Sequence, residues 1–151
     1  MSNLVIADTS CLIVFQKIGQ TNLLRSLYDS ITITMEVKAE FGESLPDWIK
    51  VADVIDKKRL DILELYLDKG EASAITLGLE NENSLLLIDE RKGRKVATEL
   101  GLKIIGSLGI LIQAKERGFI NSLKEEIEKL KSVDFRVSEL LIKQILEKYE
   151  K

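Results

Sequence analysis

"NLVIADTSCL", residues 3 to 12, carries an apolar run into an aspartate, adds two hydroxyls and turns apolar again. A buried run that ends on a carboxylate needs a reason, because an unpaired charge is costly to remove from water. "SLLLIDERKGRK", residues 84 to 95, repeats the pattern, with Leu85 to Ile88 leading straight into Asp89. Consecutive apolar positions are the mark of strands covered on both faces, as in a parallel sheet. Ligands of such sheets bind outside the carboxyl ends of the strands. Asp8 and Asp89 therefore belong to one rim. The bland alternative for either acid alone is a helix N-cap or a first-turn charge.

The rest of the chain alternates in the same way. Asn3 to Ala7 reads as a strand, and Ser10 as the cap of a helix to about Lys17. Thr21 to Tyr28 forms a second helix, and the β-branched "SITIT" (30 to 34) a strand. "MEVKAEFG" is a short helix stopped at Gly42. Pro46 turns the chain before a strand-like "VADVI" at 51 to 55. "KKRLDILELYLD" (57 to 68) is helical, with Leu60, Leu63 and Leu67 on one face; Gly70 breaks it, and "EASAITLGLE" begins another helix. A helix over "RKGRKVATELG" ends at Gly101, and "KII" (103 to 105) is the last strand. Helices follow to Gly118, after a capping pair at Ser122 and Glu125, and over "SELLIKQILEKY". Alternating strands and helices predict a mostly parallel α/β sandwich. Residues 1 to 120 form its domain, and 121 to 151 a helical extension packed on it.

Composition narrows the chemistry. There is no histidine, which removes Ser-His-acid and Cys-His arrangements and imidazole metal sites. Catalysis must then run on carboxylates, amines, hydroxyls or a hard cation held by oxygen. A net charge of −3 does not advertise nucleic-acid binding by the surface as a whole, so such a role needs a local basic patch. "ERKGRK" supplies one: Arg91, Lys92, Arg94 and Lys95 follow Asp89 directly. Basic residues at a helix N-terminus oppose the macrodipole, whereas phosphate contacts would explain them; a solvated charged face is the plain alternative. Arg94, nearly one turn past Arg91, is placed to point back to the rim. The one cysteine, Cys11, reads as a small buried helix residue. No apolar run approaches the roughly 20 residues of a membrane helix, and no basic leader precedes the first strand. A cytoplasmic protein without membrane contact is expected. Gly101, Gly106 and Gly109 lack G-x-G-x-x-G spacing and read as turns and close packing. Leu140, Leu141, Ile145 and Leu146 form an apolar stripe expected to pack on the chain's own domain, with partner binding as the sharper alternative. Trp48, beside Pro46, packs a loop.

Glu71, in the first turn of its helix, and Glu40, one turn past the second strand, are further candidate acids. Spacing alone does not choose Glu40 over Glu36 or Glu43. "VIADTS", "EVKAEF", "GEASAI" and "LLLIDERKGRKVATELGLKIIGSLGILIQAKERGFI" together resemble a PIN domain, and more narrowly a compact prokaryotic group related to VapC-type toxins. That resemblance implies a three-layer sandwich with a central parallel sheet of strand order 3-2-1-4-5. It implies that Asp8, Glu40, Glu71 and Asp89 bind Mg²⁺ or Mn²⁺, and that Ser10 steadies the first carboxylate or a metal-bound water. It also implies single-stranded RNA as substrate, a small antitoxin protein as partner, and a homodimer. Two departures stand out: Glu90 replaces the second aspartate of many relatives, and Thr34 and Met35 replace proline and alanine before "EVKAEF".

Such a cluster makes physical sense with a cation. Two charges about 5 Å apart repel by roughly 3 kcal/mol at an effective dielectric near 20. Mg²⁺ and Mn²⁺ prefer oxygen donors, and bound water becomes a better nucleophile as its pKa falls. The expectation is a Mg²⁺- or Mn²⁺-dependent endoribonuclease, the toxin of a toxin–antitoxin pair. The alternative is a catalytically silent PIN-like module that binds RNA or protein. A Mg²⁺-dependent phosphatase acting on small substrates is a third option.

Overall fold

The computed structural model describes residues 4–150, so Asn3, where the sequence starts the first strand, lies outside the described residues. Five strands form one parallel sheet: β1 (Leu4–Ala7), β2 (Ile31–Thr34), β3 (Ile49–Ala52), β4 (Ser84–Leu87) and β5 (Lys103–Ile105). Their order is β3-β2-β1-β4-β5, the order the resemblance implies. β1 pairs in register with β4 from Leu4↔Ser84 to Ala7↔Leu87. The chain builds one half of the sheet outward from β1, then returns to build the other from β4. The topological switch point therefore lies between the carboxyl ends of β1 and β4, where a crevice forms.

Side-chain alternation divides the core between the two faces. Val5 and Ala7 of β1 and Leu87 of β4 join one apolar cluster, while Ile6 and Leu86 join the other. The first cluster is closed by α1 (Thr9–Lys17), α2 (Thr21–Tyr28), α7 (Ser107–Glu116), α8 (Leu123–Ser132) and α9 (Glu139–Tyr149). The second is closed by α4 (Lys57–Glu64), α5 (Lys69–Leu79) and α6 (Arg91–Glu99). Fully buried Phe15, Leu24, Ile75 and Ile110 anchor the two, each worth roughly 1.5–3 kcal/mol on burial. α5 is buried from Gly70 to Gly78. Its run of Gly, Ala, Ser and Thr lets it lie close to the sheet, as a helix covered all round must.

Several boundaries differ from the sequence reading, each for a local reason. Asp8, not Ser10, precedes the first helical residue of α1. The third strand is Ile49–Ala52 rather than 51 to 55, its register fixed by Ile31↔Ile49 beside β2. α4 stops at Glu64, and Leu67 is buried beyond its end. Gly70 does not break a helix; it sits in the first turn of α5, because Asp68 caps that helix by accepting from the Glu71 N–H at 2.8 Å. Thr34 starts α3 (Met35–Phe41) through its hydroxyl, which accepts from the Val37 N–H at 3.0 Å, so the departure from proline keeps a helix start. On α9 the inward face is Ile142 and Ile145, while Leu140 is 67% exposed; the stripe is rotated from the one the sequence suggested. No helix among the described residues is long and apolar enough to cross a membrane.

Candidate metal and nucleic-acid site

Asp8 directly follows β1, and its N–H donates to the Leu87 carbonyl at 2.9 Å, which locks it against β4. Its side chain makes no capping bond to α1, so the N-cap explanation fails for this residue. Instead Ser10 Oγ donates to Asp8 Oδ2 at 3.1 Å, the steadying contact the resemblance implies. Asp8 is 2% exposed. Burial is the main force pushing its carboxyl up to about 6; the Thr9 N–H opposes that, and the charge of Asp68 adds to it.

Glu71 lies in the first turn of α5 and is buried. Burial first, then a hydrogen bond with Glu90, raises its carboxyl to about 8, with Asp68 and Asp8 adding repulsion. The shift favours the protonated form of Glu71, with Glu90 as its hydrogen-bond partner. Glu90 is lowered, chiefly by the Gly93 N–H it accepts at 2.9 Å as the N-cap of α6. The extra methylene of Glu90 is thus spent on reaching back to its own helix.

Glu40, Glu36 and Glu43 are now separated. Glu43 accepts from the exposed Gln16 side chain, and one oxygen of Glu36 is buried without a partner. Glu40 turns to the rim, where its two oxygens accept from the Thr9 hydroxyl at 2.6 Å and from the Gly70 N–H at 3.2 Å. A Cβ on Gly70 would collide with that carboxylate, so glycine is required for the approach.

Asp89, two residues past β4, is raised by burial, against the hydrogen bonds of Ser107 and the charge of Arg94. Its Oδ1 accepts from the Ser107 N–H at 2.6 Å, and its Oδ2 from the Ser107 hydroxyl. Asp89 therefore caps the following helix, α7, rather than α6. The Arg94 guanidinium donates to the Ile88 carbonyl at 3.2 Å, so Arg94 does point back to the rim. Arg91, Lys92 and Lys95 are exposed on α6.

The acids share the switch-point rim, but the expectation that all four meet in one cage is corrected. Among the described residues no group of three or more His, Cys, Asp or Glu stands close enough to hold one ion. The reason is visible in the hydrogen bonds: Glu40 is committed to Thr9 and Gly70, and Asp89 to Ser107. The donor set still suits a hard divalent cation, being entirely oxygen. Burial and neighbouring carboxylates, Asp68 among them, hold Asp8 and Glu71 above the ordinary carboxylate range, a cost that positive charge would offset.

Sequence reasoning missed Thr9, Asp68, Gly70 and Ser107. Asp68, three before Glu71, carries the spacing of a helix cap. Ser107 repeats the Asp8–Ser10 theme of a hydroxyl beside an acid. Thr9 and Gly70 left no signal, since their partner is 30 or more residues away.

Set beside known proteins, residues 4–151 match a family model described as a PIN domain. No curated protein and no solved structure gives a significant match. Families of this kind are typically nucleases that work with divalent metal ions, which describes the chain as a nuclease-type hydrolase. With the match spanning nearly its whole length and the sheet in the order 3-2-1-4-5, the chain belongs to the PIN-domain family.

Proposed function

We propose that the chain is a Mg²⁺- or Mn²⁺-dependent endoribonuclease that cuts single-stranded RNA, and that it serves as the toxin of a toxin–antitoxin pair. The observation that carries this reading is Asp8: a buried carboxylate at the switch point, uninvolved in capping and held above its ordinary pKa. Asp8 and Glu71 would hold the cation, with Asp89 joining if it leaves Ser107 and Glu40 if it leaves Thr9. A bound divalent cation supplies a more acidic water and offsets charge on the phosphodiester.

The chain's own groups have distinct tasks under this reading. Ser10 fixes the rotamer of Asp8. Glu71, raised by burial, would be favoured in its ionised form by positive charge at the rim. Arg94, with Arg91, Lys92 and Lys95 beside it, holds backbone phosphates and offsets the repulsion between an acidic rim and a polyanion. The P–O bond breaks as water adds to phosphorus, and the leaving oxygen takes up a proton. A homodimer and a small antitoxin belong to the same proposal, resting on the resemblance to VapC-type toxins.

Purified protein with Mn²⁺ should cleave unstructured RNA, and Asp8→Asn should abolish cleavage. Undiminished activity in that variant would remove the proposed site. A silent RNA- or protein-binding module is the second reading, favoured by the ties of Glu40 to Thr9 and of Asp89 to Ser107. RNA binding without any Mn²⁺ binding at millimolar concentration would select it.

A further inference from the structure

A groove of about 660 Å³ opens beside Asp89 and runs along α7 to α9, within the range of about 300–1,000 Å³ typical of small-ligand sites. Asp89 and Arg94 stand at its polar end; Leu108 and Ile112 line one side, and Phe135, Arg136 and Leu141 line the C-terminal side. Gly106 shapes the mouth: a Cβ there would press on Asp89 Oδ1 at 2.9 Å and collide with the Arg94 guanidinium. Glycine keeps the acid and the base side by side.

The C-terminal wall is held at both ends. After α8 the chain reverses at Asp134, with φ of 64°, a conformation aspartate tolerates better than most residues. The Phe135 N–H then donates to the Leu130 carbonyl at 3.1 Å, and Ser138 caps α9 by accepting from the Leu141 N–H at 3.1 Å. Residues 135 to 137 are thereby fixed beside the groove. Phe135 is half-buried, Arg136 is exposed, and neither Arg94 nor Arg136 forms an ion pair among the described residues.

An aromatic side chain beside the guanidinium of Arg136, in a groove whose other end holds Arg94 next to the carboxylate rim, matches one nucleotide of a single strand. Stacking needs only a π-face, and phosphate needs only positive charge. We infer that this groove is the subsite for the nucleotide flanking the scissile phosphate of single-stranded RNA. Phe135 stacks its base, and Arg136 and Arg94 hold the phosphates on either side. The inference rests on the nuclease reading for its position beside the scissile bond, but not for the binding itself. It makes the C-terminal extension part of the substrate site.

The test uses the full chain and a labelled, unstructured oligouridine. Affinity is read by anisotropy across a salt series without divalent cation, and cleavage kinetics are read with Mn²⁺. Arg136→Gln should weaken binding several-fold and flatten the slope of log Kd against log salt by about 0.7, the value for one lost single-strand phosphate contact. Phe135→Leu keeps the apolar packing and should lose roughly tenfold in affinity through stacking. In cleavage both should raise KM more than they lower kcat. Lys143→Gln makes the same change of charge on α9 outside the groove and should leave the slope unchanged.

Wild-type binding and slope retained in both groove variants would overturn the inference and give the groove to another occupant, such as a protein partner; cleavage in the same samples would leave the nuclease reading standing. Absent cleavage with binding lost in the variants would sink the nuclease reading and keep the subsite. Absence of oligouridine binding by the wild type at micromolar protein would overturn the subsite directly.

Discussion

At the scale of single residues, the rim is a place where charge is held at a cost. Asp8 and Glu71 ordinarily titrate near 3.8 and 4.5, and burial raises them to about 6 and about 8. The folded state therefore holds protons that the unfolded chain releases between these values. Their contribution favours folding most below about pH 4 and is lost as pH rises toward 8. Glu90, lowered instead, adds no slope above about pH 5. Chemical denaturation without divalent cation should accordingly show stability declining between pH 5 and 8, and the decline should be shallower in Asp8→Asn. That variant should be more stable than wild type at pH 8 by about 2 kcal/mol, taking most of a two-unit shift, while losing catalysis. Asp8 announced itself in the sequence because it interrupts an apolar run. Thr9 gave no such sign: its bond to Glu40 comes from the folding of α3 against α1, which no local pattern encodes.

At the scale of elements, the approach of α3 to α5 depends on Gly70. Gly70→Ala should destabilise the protein by about 1–3 kcal/mol, the usual cost of overpacking, or drive Glu40 off its two donors. Urea denaturation reads the first outcome, and a changed Mn²⁺ affinity reads the second. Glycine was legible as punctuation but misplaced as a break, because the capping role of Asp68 outweighs the low helix propensity of Gly70. The same competition explains the other shifts. β3 begins before the β-branched stretch because its pairing with β2 sets the register. The inward face of α9 is chosen by α7 and α8, not by hydrophobicity alone, since Leu140 is as apolar as Ile142 yet faces out.

At the scale of the whole molecule, strand order does the positioning. Two apolar runs that each end on an acid become neighbours only because β1 and β4 pair at the centre of the sheet. Class and alternation were readable from periodicity; the order 3-2-1-4-5 came from resemblance, since no local signal says which strands pair. That the four carboxylates do not close into one cage was not readable, because it depends on side-chain partners such as Thr9 and Ser107. α8 and α9 add Leu123, Ile127, Leu130, Ile142 and Ile145 to the core cluster of α1 and α7. Thermal unfolding should then be a single cooperative transition, and Ile127→Ala should lower stability by about 2–5 kcal/mol without splitting it. A separate early transition for the C-terminal helices would show that they are not part of the same cooperative unit.

The central claim is that buried carboxylates at the β1–β4 switch point bind a divalent cation. Titration calorimetry with Mn²⁺ at pH 7.5 tests it most directly. Saturable binding by the wild type that disappears in Asp8→Asn is the predicted result. No binding at millimolar Mn²⁺, or equal binding by the two proteins, would contradict it.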